Sequence, residues 1–475
     1  MADADAPTTG LGEPAGPRHL GAGAALSVVA QVGPLVAATA LSVVLARAIG
    51  PSANGTYALV LTLVNVAVLV FSFGLSAGIT YEVSRGSWPV RRAFPETYGA
   101  ALVLGVGGAA AGFGFYELTR HTALRAVDLH LALIALAAIP AFLAWQFAMG
   151  ILLGRDRYEG YTALQLSNSL VMLLAAAGLA LPFGLTGAVA GLAASAVVTA
   201  IVGASLMRRW VRRGIDGPAP AADQGGGLEH LRRAFPFGVQ AWVGNVLQQA
   251  NYRLDLLVLG GYAAASDVGL YSVAVTLTSI GWTLPHGLQT VVFPRTARLD
   301  AAAQAGELTA AESDAAVARA TRHSVLLLVP AGVVVSVLLA AVPLVYGGKF
   351  HETVGLGFLL LPGVLALGVG KVLGSVVGGR GKPRYMMYSA ILGAAVTLVL
   401  YFVLIPAYHE WGAAGASCVS YLLTTVIVAG YFRRVTRIPL RTALVPTLAD
   451  VRNYREALEA LRAHLRSRRA RRQAA

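Results

Sequence analysis

The chain has 475 residues, 56% of them hydrophobic and 13% charged, with a mean hydropathy of +0.66; this excludes a soluble globular protein and predicts an integral membrane one. Its apolar runs are of helix length and rich in Ala, Leu, Val and Gly, which excludes the alternating pattern of a membrane β-barrel. The net charge of +14, from 37 Lys and Arg against 23 Asp and Glu, falls between the apolar runs, where it orients helices rather than gathering nucleic acid, and the single Cys418 excludes an internal disulfide.

In chain order, residues 1–21 are rich in Pro, Gly and Ala and read as a disordered tail without a cleavable signal. Helices are predicted at about 22–47 and 56–83, on either side of the turn Gly50-Pro51-Ser52-Ala53-Asn54-Gly55, and then at about 96–117 and 129–153. Two more, at about 161–181 and 187–207, flank the turn Gly184-Leu185-Thr186 and complete a first lobe, 22–207. Residues 208–235 have the composition of a flexible linker, with Pro218, Pro220 and Gly225-Gly226-Gly227. A second lobe, 236–432, holds helices at about 235–261, 268–292, 323–346, 353–377, 385–405 and 413–431, and its connection 295–322 reads as helical at the membrane surface. The fold expected is all-α, a polytopic bundle of about twelve spans, each of the length one bilayer crossing needs.

The arginines give the sidedness. One set of connections carries Arg85, Arg91 and Arg92, then Arg155 and Arg157, then Arg208, Arg209, Arg212, Arg213, Arg232 and Arg233, and further on Arg295, Arg298, Arg319, Arg322, Arg380, Lys382 and Arg384; the other carries only Arg47, Arg120, Arg125 and Lys349. The first set belongs in the cytoplasm, which puts both termini there and makes this a multi-pass protein of a cytoplasmic (inner) membrane. An Ala, Gly and Arg bias points to a GC-rich bacterium.

An internal repeat supports two copies of one unit. G-T-Y-A-L-V-L-T-L from Gly55 matches G-L-Y-S-V-A-V-T-L from Gly269, with Tyr57 opposite Tyr271, Thr62 opposite Thr276 and Leu63 opposite Leu277 at a constant offset of 214, while Arg155 and Arg380, and Gly187 and Gly412, stand 225 apart. An offset spanning six helices keeps both copies in one orientation, so the two six-helix repeats are parallel and enclose a cavity between them.

The seventh predicted helix carries the strongest functional signal. Placed at about 100° per residue, Asn245, Gln248, Gln249, Asn251, Tyr252, Arg253 and Asp255 share one broad arc, and Val246, Leu247, Ala250, Leu254, Leu257 and Val258 fill the other. Ionisable groups at that depth mark a polar pathway or bond a neighbouring helix. Gln31, Gly33 and Pro34 interrupt the equivalent first helix, whose end carries Arg47.

Other motifs are weaker. Gly74-Leu75-Ser76-Ala77-Gly78 has the lettering of a nucleophile elbow but lies inside a helix with no strand before it, which favours packing by small residues. Gly368-Val369-Gly370-Lys371 lacks the first glycine and the hydroxyl residue of a phosphate loop, leaving Lys371 to snorkel or to line the cavity. Glu82 and Arg85 read as a helix-surface pair or a gate, and His286 after Pro285 as a kink-satisfying polar group or a proton carrier. The nine histidines show no ligand spacing, so no metal or cofactor is expected. In the basic tail 433–475, Val451, Tyr454, Leu458, Leu461 and Leu465 recur at helical spacing among arginines, an amphipathic helix for anionic lipids, a docking site for a polymer-assembly partner, or a solvated tail.

The segments L-A-R-A-I-G-P-S-A-N-G-T-Y-A, F-G-L-S-A-G-I-T-Y-E-V-S-R, Y-R-L-D-L-L-V-L-G and V-G-L-Y-S-V-A resemble those of the polysaccharide-biosynthesis flippases, of which the Wzx-type O-antigen flippases are best known, within the multidrug/oligosaccharidyl-lipid/polysaccharide exporter superfamily. The resemblance runs from about 22 to 431. It implies a V-shaped, two-lobed transporter that moves an undecaprenyl-diphosphate-linked oligosaccharide across the membrane by alternating access. Arg253, Arg47 and Lys371 would then meet the diphosphate, Arg through its planar fork. Asn245, Gln248, Gln249 and Asn251 would meet sugar hydroxyls, and Gln31 would also line the cavity. Asp255, Glu82 and His286 would be candidates for coupling to H+ or Na+. A polysaccharide polymerase or other assembly protein is the partner class implied. The competing reading within the superfamily is a cation-coupled drug exporter of the MATE type, which would want an acidic, aromatic cavity. A membrane-embedded glycan enzyme would want carboxylates on a large outer loop, and the outer loops here are short.

Overall fold

Every regular element among the described residues of this computed structural model is helical. The described residues are 17–213, 227–382, 384–436, 438–445 and 447, and within the first, seventh and ninth helices part of the side chains lies outside those described. In order the helices are α1 (Pro17–Phe71), α2 (Leu75–Ser84), α3 (Val90–Thr119), α4 (Leu129–Leu136), α5 (Ile139–Gly154), α6 (Tyr158–Arg212), α7 (Gly227–Tyr262), α8 (Ala265–Thr278), α9 (Ile280–Gln304), α10 (Ala310–Leu326), α11 (Leu328–Ala340), α12 (Val342–Tyr346), α13 (Glu352–Gly379), α14 (Arg384–Thr436) and α15 (Leu440–Leu444). Among the described residues, seven helical stretches are long and apolar enough to cross a membrane.

Three of those stretches are far longer than the roughly 20 residues of one crossing. They break at Gly50 (φ 76°), Gly184 (φ 57°) and His409 (φ 50°), beside Pro51, Pro182 and Pro406. The two arms of α14 fold back on one another: Thr397 bonds Ser420, and Tyr401 lies 3.0 Å from Ser417. In α6, Thr199 Oγ1 donates to Asn168 Oδ1 at 3.3 Å across the same kind of turn. The predicted turns after the first, fifth and eleventh spans therefore stand where the sequence put them.

Other boundaries differ from the sequence reading. The second predicted span is interrupted between α1 and α2, where Phe73 (φ 43°) and Gly74 (φ 63°) are left-handed, so the Gly74–Gly78 motif opens a helix rather than lying inside one. The fourth splits at Ala137–Ala138, ahead of Pro140. The seventh begins at Gly227, eight residues early, because its first turns are packed: His230 is buried and Glu229 pairs with Arg233. The predicted surface helix of 295–322 is divided between α9 and α10 by a capping box, in which Glu312 N donates to Thr309 Oγ1 and Thr309 N to Glu312 Oε2. The linker core 214–226, the N-terminal tail before residue 17 and the amphipathic segment after 447 lie outside the described residues.

The helices of the first half pack on one another, α1 with α6 and α5 with α2, α3 and α6; in the second half α13 packs with α8, α9 and α14. One apolar core runs through both, from Leu41 and Leu45 through Phe147 to Tyr271 and Tyr401. A second, around Val376, Val377 and Phe432, sits at the arginine-rich end. There Arg380 reaches Asp300 at 2.9 Å and Asp314 at 2.6 Å, tying α13 to α9 and α10. Apolar side chains such as Leu102, Val103, Val399 and Val403 are exposed on the outside, as a lipid-facing surface requires.

The halves meet at their repeat-related residues. A Cβ on Gly55 would run into the carbonyl of Ala265, and one on Gly269 into the carbonyl of Pro51, so only glycine lets the two backbones touch. Gly55 and Gly269 stand 214 apart, as do Pro51 and Ala265, so the contact is reciprocal. The repeat read from the sequence is also a packing relationship in space.

Candidate functional site between the two halves

Helix α7 is shared by the halves. Its first turns lie against α2: a Cβ on Gly74 would strike the carbonyl of Gly238, and one on Gly78 the carbonyl of Ala234. Tyr81 stacks on Phe237 with ring centroids 4.3 Å apart. His230 stacks on Trp88, and Glu96 Oε2 of α3 accepts from Trp88 Nε1 at 2.9 Å and lies 3.2 Å from His230 Nδ1. This joins the start of α7 to the first half at the arginine-rich end.

The last turns of α7 belong to the second half. Asp255 is buried, and its carboxylate accepts from Tyr271 Oη at 2.7 Å and from Leu256 N at 2.7 Å. Ser417 lies 3.3 Å from Tyr271 Oη and 3.0 Å from Tyr401 Oη. Since Tyr271 gives its proton to the carboxylate, Ser417 donates to Tyr271 and Tyr401 to Ser417. Four polar groups from α7, α8 and both arms of α14 thus form one directed chain ending on Asp255. Leu256, Leu257 and Leu259 are also buried, so the apolar arc of α7 faces protein here and not lipid.

Beside the first anchorage of α7 lies an open cavity of about 600 Å³ lined by α2, α5, α7 and the end of α1. Ser72, Ser76, Thr80, Ser84 and Gln146 supply its polar lining, and Tyr81, Phe237 and Trp242 its aromatic walls. No acidic or basic side chain is among the described residues that line it. Arg85 stands at its mouth, with its guanidinium carbon 5.2 Å from the Tyr81 ring centroid and Nη1 donating to Tyr81 Oη at 2.7 Å.

The sequence-predicted site residues are dispersed. Arg47 is not in the cavity: it stands at the far end, where Nε donates to Val345 O at 2.6 Å and Nη2 to Leu344 O at 2.8 Å across the two halves. A helix-ending guanidinium on carbonyls at another helix's end is electrostatically favoured. Arg125 does the same, donating to Ala263 O just past α7 at 2.7 Å. Lys371 is partly buried on the unbroken helix α13, which holds no phosphate loop. Glu82 and Arg85 turn to different partners, Glu82 accepting from Ser87 Oγ at 2.7 Å. The side chains of Gln31, Asn245, Gln248, Gln249, Asn251, Arg253 and His286 lie outside those described.

Sequence reasoning missed the hydroxyl row and Gln146. Ser76, Thr80 and Ser84 stand four apart, a spacing visible in the sequence, but nothing there distinguishes a row facing a cavity from one facing a helix. It also missed a convergence at the far end: ligand atoms of Asp267, His409 and Glu410 lie within 4.8 Å of one another. Asp267 already caps α8 through Ala264 N and accepts from Ser266, so the group has a structural explanation.

A family model described as "Polysaccharide biosynthesis protein" matches residues 20–300, more than half of the chain. No curated protein matches the sequence. Among solved structures, the lipid II flippase MurJ in an inward closed conformation superposes with a TM-score of 0.65 at 11% identity, covering 89% of this chain and 88% of that one. A multidrug resistance MATE family transporter of the MOP superfamily, inward-facing, gives 0.61 at 14% identity over 86% and 98%. The MATE multidrug transporter DinF-BH gives 0.58 at 16% over 92% and 100%. At these identities the likeness is one of fold.

Proposed function

The chain belongs to the polysaccharide biosynthesis protein family, and we propose that it is a flippase that carries an undecaprenyl-diphosphate-linked oligosaccharide across a bacterial cytoplasmic membrane by alternating access. The observation that supports this most is the cavity between α2, α5 and α7, whose described lining is hydroxyl, amide and aromatic, with no carboxylate for a cationic drug. The arginine-rich end faces the cytoplasm on this reading, so the cavity opens where a lipid-linked glycan is made. Arg253 and Lys371 are assigned to the diphosphate, with Asn245, Gln248, Gln249, Asn251 and Gln31 along the glycan path. Arg47 holds the far end shut and is freed as the halves part.

Coupling to H+ or Na+ is assigned to Asp255, with Glu82 and His286 as the other candidates. The directed chain of hydroxyls ending on Asp255 gives a bound or released proton a route to surrounding helices. The basic tail is assigned to anionic lipids or an assembly partner. No catalytic role is assigned to any residue. A MATE-type exporter is the second reading, because the fold is shared with such transporters; the lack of a carboxylate among the described residues of the lining argues against it.

The test is flipping of fluorescent undecaprenyl-diphosphate-linked sugar in proteoliposomes, with Arg253→Ala and the lipid-facing control Leu102→Ala. Leu102 is 59% exposed. Transport by the native chain and the control, and its loss in Arg253→Ala, is the expected result. Export of an organic cation in place of the lipid would replace this reading with the MATE one.

A further inference from the structure

The hydrogen-bond directions around the α2–α5–α7 cavity limit what it can hold. Ser76 Oγ donates to Gln146 O at 3.2 Å, Thr80 Oγ1 to Ser76 O at 2.9 Å and to Gly150 O at 3.1 Å, Ser84 Oγ to Tyr81 O at 2.8 Å, and Ser72 Oγ to Leu69 O at 2.9 Å. Trp242 Nε1, the one indole donor in the described lining, is used on Leu69 O at 2.7 Å. Each hydroxyl has a single proton, so what these side chains offer the cavity is lone pairs. Gln146 adds to this: its Oε1 is buried without a hydrogen-bond partner, a costly arrangement unless something supplies a donor.

We propose that this cavity is a subsite for a neutral, polyhydroxylated sugar, held by donation of its hydroxyl or acetamido hydrogens to Gln146 Oε1 and the Ser72, Ser76, Thr80 and Ser84 oxygens, with its apolar face on Phe237 and Trp242. The inference rests on the flippase reading and sharpens it. The described lining holds no charged side chain, so the diphosphate is assigned to the arginines outside this subsite, and a uronic or other acidic sugar gains no ion pair from the lining. An organic cation would find acceptors and rings, but the Tyr81 ring carries the Arg85 guanidinium at 5.2 Å, which opposes a second positive charge. The glycan unit seated here is therefore neutral.

The test is calorimetric titration of the purified full chain with neutral trisaccharides (maltotriose, cellotriose and triacetylchitotriose), with trigalacturonate as the acidic counterpart and tetraethylammonium as the cation. At least one neutral trisaccharide binds, and Gln146→Leu and Ser76→Ala each weaken it about tenfold, roughly the 1.4 kcal/mol of one lost hydrogen bond. Ser76→Ala, a small change at a helix surface, keeps the test valid if Gln146→Leu does not fold. Tighter binding of trigalacturonate or tetraethylammonium, binding indifferent to both substitutions, or no neutral sugar bound overturns the proposal. Lipid flipping measured in parallel separates the two ideas: flipping without sugar binding sinks the subsite and leaves the flippase, while sugar binding without flipping does the reverse.

Discussion

Tyr57 and Tyr271 occupy equivalent positions in the two repeats, yet only Tyr271 has an acid to bond. Tyr271 Oη donates to Asp255 at 2.7 Å; Tyr57 Oη is buried without a hydrogen-bond partner. The reason lies 214 residues before Asp255, where the first repeat has Leu41. The two copies share a backbone and differ in chemistry.

The difference predicts opposite effects of one substitution. Tyr57→Phe removes an unsatisfied hydroxyl and should be neutral or raise the melting temperature by a few degrees. Tyr271→Phe breaks the chain to Asp255 and should cost about 1–3 kcal/mol. Thermal unfolding of both in detergent decides, and equal destabilisation would refute the asymmetry.

Asp255→Asn and Asp255→Leu separate structure from coupling. Asn keeps an acceptor for Tyr271, so stability should hold while the dependence of transport on a proton or sodium gradient disappears. Leu strands the tyrosine hydroxyl and should lose about 1–3 kcal/mol as well. Gradient dependence unchanged in a folded Asp255→Asn variant would remove Asp255 from coupling.

Arg47 should act as a latch at the far end. Arg47→Ala deletes two charge-assisted hydrogen bonds between the halves. In a Cys418→Ala background, a cysteine introduced by Asn54→Cys, just beneath the Gly55–Gly269 seam, should react several-fold faster with a membrane-impermeant maleimide once Arg47 is removed. An unchanged rate would mean that the glycine contact alone holds this end.

Gly55→Leu tests that contact directly. The added side chain meets the Ala265 carbonyl and cannot be absorbed by a rotamer change, so the halves cannot close and flipping should fall more than tenfold. Spin-label distances between α1 and α8 should lengthen by several ångströms. A variant that closes and transports normally would show that the seam is dispensable.

Arg380 is a stability element. Arg380→Met leaves Asp300 and Asp314 facing each other without their cation, and should cost about 2 kcal/mol, less than for a fully buried pair because both carboxylates keep some solvent. Arg380→Lys should recover only part, since a single ammonium lacks the fork that spans two acids. Thermal unfolding with both variants checks the order.

What was legible in the sequence followed from local signals. Helix class came from length and hydropathy, the turns from Gly50-Pro51 and Gly184, and the equivalence of Gly55 and Gly269, though not their contact, from the repeat. What was illegible depends on partners distant in the chain. Asp255 read as one member of a polar arc, but its partner Tyr271, and the Ser417 and Tyr401 bonded behind it, come from three other helical arms. Arg47 read as a phosphate ligand because nothing nearby showed the carbonyls of Leu344 and Val345. Gln146, flanked by Trp145 and Phe147, carries no local signal that it reaches a cavity. Leu257 read only as part of an apolar arc, and an arc gives no account of which neighbours surround it.

Helix α7 is bolted at both ends to bodies that, in the proposed alternating access, turn against each other. Its start is pinned to α2 and α3 through Phe237 and His230, and its finish to α8 and α14 through Asp255. A stiff rod fixed in this way would forbid the rotation, so the strain has to be taken up between Trp242 and Leu254, about 12 residues or roughly 18 Å of helix. That stretch contains Asn245, Gln248, Gln249 and Asn251, amides able to bond backbone groups released when a helix bends. In mechanical terms the proposed cycle makes α7 a tie-rod that has to bend in its middle turns, and the stiffness of those turns would set the rate at which the molecule changes face.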